Sequence, residues 1–501
     1  MDGPLLVVDR DRTTPIGVQL VEGLRRGILS GALRAGDPMP STRALAAELG
    51  VARSSVVQAY DRLAGEGYLE SRQGAPTRVA ALERPAGSGF APSADRADEG
   101  APVPDASAPA LALIDLSPGI PSTARIDERA WRAAWRRAAA VPVSSWSPPA
   151  FGLPELRAAI ADHLRLARGV RCSADDVVVT AGTADALALL AVALRAVRGE
   201  RPRVVVEDPG YPSARRTLAR RGVHLRPVAV GPDGLDLAAL DRVRGPVDAV
   251  MVTPSHQYPL GGRLPVADRL ALLDWAGRRD ALVIEDDYDS EFRHTGAPLP
   301  ALASLDEEGR VVLVGSFSKV LTPWVRFGYL VLPPETSDPA LRDAVTAIRA
   351  DEHGPVAGPV QHAMADLLAS GALRRHIAAT RREYGHRRRL VLDALGGLES
   401  PARGIRLTAL DGGLHAVLEL PDEAATDAVV ERLAREGVVV APLSLYSAAA
   451  DVPPAAGCER SGSAGNAHAG LVIGYAGVGD TALADALARI RRAVQQQCGD
   501  R

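Results

Sequence analysis

At 501 residues the chain is long enough for about three domains of roughly 150 residues each. Hydrophobic residues at 47% and charged residues at 24% exclude a mainly disordered or collagen-like chain, and a net charge of -3 excludes a grossly basic nucleic-acid coat. Cys172, Cys458 and Cys498 lie too far apart for a disulfide framework or a metal cluster, no apolar run approaches the ~20 residues of a membrane span, and Asp2, Asp9 and Asp11 stand where a signal peptide needs cations. A cytoplasmic protein without metal or membrane contact is expected.

The first eighty residues read as a helical unit with a hairpin. Val18, Leu20, Val21, Leu24 and Ile28 recur at helical spacing up to Gly31. Ser41 then opens a short helix from Arg43 to Gly50, and a second helix runs from Arg53 to about Gly65, with Val56, Val57, Tyr60 and Leu63 inward. Strands Tyr68–Ser71 and Thr77–Ala80 flank a turn through Gly74. Two short helices around Leu49-Gly50-Val51 suit a helix-turn-helix, whose second helix enters the major groove. That helix offers Arg53, Ser54 and Ser55, with Gln58 one turn further on. Arginine pairs bidentately with guanine, glutamine pairs with adenine, and hydroxyls at a helix start suit phosphate. Ser41 and Arg43 would position the backbone, and the Gly74 turn would be a wing. Residues 1–80 carry ten Arg against nine Asp plus Glu, so charge does not separate double-stranded DNA from a docking protein as partner.

Pro40-Ser41-Thr42-Arg43, Leu49-Gly50-Val51-x-Arg53, Ala59-Tyr60 and Glu66-Gly67-Tyr68-Leu69 together resemble the GntR-type winged helix over nearly all of residues 15–80. The resemblance implies that Arg43, Arg53, Ser54, Ser55 and the Gly74 wing contact DNA. Pro76 stands where many relatives have a second wing glycine.

Residues 81–112 turn to Ala, Pro, Gly and Ser and read as a linker, because such a stretch buries too little apolar area to offset its ordering entropy. Beyond it, helices alternate with the apolar runs Val177–Thr180, Arg203–Glu207, Ala249–Thr253, Ala281–Glu285 and Val311–Gly315. That alternation predicts an α/β domain on a largely parallel sheet. Leu414–Leu420, Val438–Ala441 and Leu471–Tyr475 predict a smaller C-terminal α+β part, with an Ala/Pro/Gly-rich loop from Ala448 to Ala467.

One count bears on chemistry. Of 58 basic residues a single one, Lys319, is lysine. Arginine replaces lysine in most ion pairs, but a guanidinium cannot form a Schiff base with an aldehyde. Lys319 ends Gly315-Ser316-Phe317-Ser318-Lys319, directly after a buried run, where ligands collect in open α/β sheets. About thirty residues earlier, another run ends in Glu285-Asp286-Asp287-Tyr288-Asp289. A phosphorylated pyridine aldehyde needs an amine, a carboxylate for the ring nitrogen and donors for its phosphate. Lys319 would form the Schiff base with pyridoxal 5'-phosphate, Asp286 would pair with the pyridinium, and Tyr288 would reach the ring hydroxyl. Ser316, Ser318, Arg326 and the amides of Gly182, Thr183 and Ala184 would surround the phosphate, and Tyr211 would stack on the ring.

Residues 113–501 resemble the fold type I aminotransferases, of class I/II, along their whole length, and these are the positions where that family's cofactor residues fall. A winged helix joined by a linker to that fold resembles the MocR family of GntR-type regulators, its pyridoxine-pathway branch most. Thr253-Pro-Ser-His256-Gln-Tyr-Pro259-x-Gly261 and Asp286-Asp-Tyr288-Asp-Ser-Glu291-Phe-Arg293 look like internal motifs of that family. The expected organisation is thus 1–80 winged helix-turn-helix, 81–112 linker and 113–501 aminotransferase-like domain, and the resemblance implies a homodimer.

Two departures shape the expected function. Aminotransferases place asparagine before Pro-x-Gly to hold the ring hydroxyl, but here Tyr258 fills the slot, with His256 beside it as either a cofactor contact or a structural histidine. Amino-acid-specific relatives carry a carboxylate-clamping arginine in the last strand, where this chain has Val472; Arg403 and Arg406 are the alternatives from another direction. The expected function is a DNA-binding regulator that uses pyridoxal phosphate on Lys319 as effector, in vitamin B6 metabolism. A regulator reading an amino acid or amine, and a working aminotransferase, are the alternatives.

Overall fold

The computed structural model describes residues 16–29, 33–65, 68–70, 76–80, 113–296, 299–451 and 468–498. They fall into two compact units, 1–105 and 106–501. Gly31, the Gly74 wing turn, the linker 81–112, Cys458 and residues 452–467 of the expected loop lie outside the described residues.

The first unit packs three helices, Ile16–Leu29, Thr42–Leu49 and Arg53–Gly65, around a shared apolar centre. Leu20, Leu24, Leu45, Val56 and Leu63 are fully buried there. Each helix supplies one apolar stripe, too narrow to bury itself but sufficient in threes. Ser41 caps the second helix, its Oγ accepting from the Ala44 amide at 3.1 Å, and Gly50 closes it in a left-handed conformation. The Tyr60 hydroxyl donates to the Pro40 carbonyl at 2.9 Å and locks the third helix against the start of the second. The expected hairpin is present but short, Leu69–Glu70 pairing antiparallel with Arg78–Val79.

In the second unit the five expected runs join three strands not expected from sequence in one eight-stranded sheet. Its order is Val177–Thr180, Gly328–Val331, Val311–Ser316, Leu282–Asp287, Ala249–Val252, Arg203–Asp208, His224–Gly231 and Gly234–Leu235. The five strands from Val311–Ser316 to His224–Gly231 are parallel. Gly328–Val331 is antiparallel to both of its neighbours, and Gly234–Leu235 is antiparallel to His224–Gly231. Helices cover both faces, so Val177–Thr180, Leu282–Asp287 and Val311–Ser316 are buried at every position. A four-stranded antiparallel sheet, Arg406–Thr408, His415–Glu419, Gly470–Gly474 and Ala441–Pro442, forms the C-terminal α+β part. The 24-residue helix Ala372–Leu395 leads into it.

Candidate functional site

The carboxyl ends of the parallel strands are brought to one place, and the predicted residues follow them. Tyr211 comes after Arg203–Asp208, Tyr258 after Ala249–Val252, Tyr288 after Leu282–Asp287, and Lys319 after Val311–Ser316. Gly182 to Ala184 open the helix after Val177–Thr180. A cavity of about 370 Å³ lies among them, lined by Gly182, Thr183, Ala184, Tyr211, Asp286, Tyr288, Ser316, Ser318, Lys319 and Arg326. Ten of the eleven cofactor residues expected from sequence therefore meet in one space.

The Lys319 amine donates to the Gly119 carbonyl at 2.6 Å, and a Cβ on Gly119 would lie 2.5 Å from Nζ. Burial pulls the amine's pKa below its ordinary value, against the opposing pull of Asp289 and Asp286. A depressed amine pKa raises the fraction able to attack an aldehyde. Asp286 is 3% exposed, and its Oδ1 is buried without a hydrogen-bond partner. Its carboxyl is pushed up to about 8, first by burial and then by Asp287, Glu207 and Asp289. An unpartnered buried carboxyl oxygen costs about 1–3 kcal/mol, and a bound pyridine nitrogen would satisfy it. Arg326 sits in the left-handed region, φ 45°, beside Ser316, whose Oγ accepts from the Ser318 amide at 3.1 Å. The donor set fits pyridoxal phosphate: amine, carboxyl, phenol, and a hydroxyl–guanidinium–helix-start corner for phosphate.

His256 is the exception. It does not line this cavity but backs it: its Nδ1 lies 3.0 Å from the Tyr288 hydroxyl and 2.9 Å from Asp289 Oδ2. Of the two readings left open for His256, the geometry places the ring behind Tyr288 rather than in the cavity wall. Tyr258 does line the cavity, its ring edge-on to Tyr211, Tyr288, His415 and Tyr446 at 5.2–5.9 Å. Gly119, Thr253 and His415 also line it and were not read from sequence. No local pattern marks Gly119 and His415, which arrive from distant segments, whereas Thr253 opens a family-like motif in which it was given no role. His415 is pushed down to about 3 by burial, and its Nε2 faces the Pro259 carbonyl at 2.8 Å, so the ring is a neutral donor there. Among the described residues Arg326 is the one arginine lining the cavity; Arg403 instead donates to the Cys498 carbonyl.

On the first unit, Ser41, Arg43, Arg53, Ser54 and Gln58 are exposed and Ser55 half-buried. Arg53 starts its helix, so the three leading side chains stand at an amide-rich terminus. Ser41 Oγ is engaged as a helix cap, which leaves Arg43 as the freer group of that pair. Among the described residues no cluster of His, Cys, Asp and Glu forms a metal site, and no helix is long and apolar enough to cross a membrane.

Residues 17–79 match the gntR family of bacterial regulatory proteins, and residues 112–456 match aminotransferase class I and II. The chain is 44% identical over 436 residues to the HTH-type pyridoxine biosynthesis transcriptional regulator PdxR of Corynebacterium glutamicum, spanning 86% of this chain and 89% of that one. It is 35% identical over 504 residues to the probable rhizopine catabolism regulatory protein MocR of Rhizobium meliloti, spanning 98% and 96%. Among solved structures it is similar to LysN, the alpha-aminoadipate aminotransferase of Thermus thermophilus complexed with N-(5'-phosphopyridoxyl)-L-leucine. There the TM-score is 0.66 at 26% identity, over 77% of this chain and 93% of that one.

Proposed function

Since the chain belongs to the MocR family, transcriptional regulators that join a GntR-type helix-turn-helix to an aminotransferase-like domain, we propose that pyridoxal phosphate held at Lys319 is its effector. The observation that carries this reading is the pairing of a cofactor cradle with a cavity lined, among the described residues, by one arginine. When bound, the cofactor supplies an aldehyde carbon that an amine attacks reversibly, on an electron-withdrawing ring. Lys319 holds that carbon, Asp286 keeps a proton at the ring nitrogen, and Tyr288 donates towards the ring oxygen. Arg326, Ser316, Ser318 and the first amides of the Thr183–Arg198 helix neutralise the phosphate. Tyr211 covers the ring face.

Arg326 is engaged by the phosphate in this scheme, which leaves no guanidinium among the described lining residues for an amino-acid carboxylate. A clamp of that kind is worth several kcal/mol in a dry site. Tight amino-acid recognition and steady turnover are disfavoured accordingly. The relative PdxR is named for pyridoxine biosynthesis, and vitamin B6 metabolism is the regulated process proposed here.

DNA is read by Arg43, Arg53, Ser54, Ser55 and Gln58, with Ser41 ordering the helix. Moving a two-state switch from 1:99 to 99:1 needs about 5.5 kcal/mol of differential binding, within reach of a covalent bond plus a caged phosphate. A homodimer is part of the proposal. Val143, Trp146 and Trp324 are 101%, 86% and 93% exposed, and Trp324 lies between two cavity residues in sequence, directly after Pro323 and two before Arg326. A gel shift on DNA upstream of the chain's own gene, comparing pyridoxal phosphate, its amine form and common amino acids, tests the effector. A response to the aldehyde alone supports the reading; a response to an amino acid with none to the aldehyde overturns it.

A further inference from the structure

A second, larger cavity of about 880 Å³ opens on the other side of His256. Its walls come from the helices Pro154–Arg168 and Ala372–Leu395, the segment after Asp289 and the turn at Gly412. Phe292, Leu299 and Ile377 give it an apolar lining. Its acids already face nitrogen or hydroxyl groups. Asp289 takes the His256 ring at 2.9 Å, Glu291 lies 3.7 Å from His163, and Asp411 accepts from Thr295 at 2.6 Å and pairs with Arg263 at 3.2 Å.

Several of its nitrogens lack a partner, His163 Nε2 among them, buried and without a hydrogen bond. His256 is 3% exposed, and its Nε2 is buried without a hydrogen-bond partner. Arg263 Nη1 is likewise buried and unpartnered. Arg293 donates through Nε to the Thr295 carbonyl at 2.8 Å and has no ion pair among the described residues. Burial and the neighbouring Arg263 charge pull the Arg293 pKa down against the weaker pull of Asp411, as expected of two guanidiniums crowded around one carboxylate. Arg263 and Arg293 share the single nearby carboxylate of Asp411, which pairs with Arg263, so the two guanidiniums together form a receptor for negative charge.

We propose that this cavity is a second ligand site, which takes a compact organic or inorganic oxyanion on Arg263 and Arg293 and signals its presence to the cofactor cavity through His256. The coupling rests on the shared ring: Nδ1 faces Tyr288 and Asp289, so an oxyanion that takes a hydrogen bond at Nε2 shifts the ring and the hydrogen bonds Nδ1 makes with them. Tyr288 in turn lines the cofactor cavity. The anion site stands apart from the cofactor reading, and only the coupling rests on it.

The test uses the full chain, cofactor-free and loaded with pyridoxal phosphate. Inorganic phosphate and succinate are the probes, in calorimetry at constant ionic strength with chloride as balance. Binding of either probe by the wild type, weakened at least tenfold by R293Q and by R263Q and abolished by R293E, supports the site. Absent binding, or binding equal in all variants, overturns it. Binding retained by K319A places the probe away from the cofactor amine; loss of binding there overturns the assignment. A change in the loaded protein's visible absorbance on adding the probe, absent in R293E, supports the coupling, and binding without that change overturns it. A protein that takes up no cofactor refutes the effector reading and leaves the calorimetric arm to decide the anion site.

Discussion

Replacing Asp286 by asparagine has opposite consequences for the cofactor-free and cofactor-bound protein. The folded carboxyl is pushed up to about 8, whereas an unfolded aspartate titrates near 3.9. Between those values the folded chain holds a proton that the unfolded chain has released, so wild-type stability falls as pH rises, by about 1.4 kcal/mol per pH unit. Beyond about pH 8 both forms are ionised and the slope ends. Asparagine cannot titrate, so D286N gains stability over the wild type by about 3 kcal/mol between pH 5 and pH 7. In the presence of cofactor the sign reverses, because the pyridinium loses its buried counter-ion. Breaking such a pair costs about 3–5 kcal/mol, roughly a hundredfold to several thousandfold in affinity. Denaturant unfolding of the cofactor-free proteins at pH 5 and pH 7 reads the first effect, and absorbance titration reads the second. A stability difference that stays constant with pH, or unchanged cofactor affinity in D286N, would refute the placement of Asp286.

Other substitutions probe single contacts. G119A forces a left-handed backbone, φ +83°, and places a Cβ 2.5 Å from the Lys319 amine. About 1–2 kcal/mol of stability should be lost, with at least tenfold weaker cofactor uptake by absorbance titration; unaltered uptake counts against Lys319 as the attachment point. G413A sets a Cβ 2.5 Å from both His256 Cε1 and Asp289 Oδ2 in a packed interior. It should destabilise by about 2–4 kcal/mol in thermal unfolding and shift the cofactor spectrum; a wild-type spectrum would disconnect His256 from Tyr288. R53A should cost about 1–3 kcal/mol at one base position of the operator and leave cofactor absorbance intact. A uniform loss across scrambled DNA would displace Arg53 from base reading.

The parallel core was legible because strands covered on both faces read as unbroken apolar runs, and Val177–Thr180 and Val311–Ser316 fall where those runs predict. His224–Gly231 was not, since Arg226 and Pro227 interrupt it and it is largely half-buried near the sheet edge. Gly328–Val331 is short, and its antiparallel insertion between two strands is a long-range choice. The acidic run shows the same limit at the site. Strand alternation separates Asp286 from its neighbours: Glu285 caps the Leu302 and Ala303 amides, and Asp287 pairs with Arg168 at 2.8 Å. Residue type alone cannot distinguish a ring partner from a helix cap, whereas the spacing to Lys319 and the resemblance could. His256 was legible as a residue near the site but not as one behind it, because its position depends on Gly412 and Gly413 arriving from a turn far along the chain.

The central claim joins one amine to a change in DNA reading, and its most direct test is DNA affinity titrated with pyridoxal phosphate for wild type and K319A. The account predicts that the wild-type dissociation constant moves with the vitamer, in step with visible absorbance at Lys319, while K319A binds the same DNA and stays unresponsive. An equal response in K319A, or a wild type whose DNA affinity ignores the bound vitamer, would contradict it.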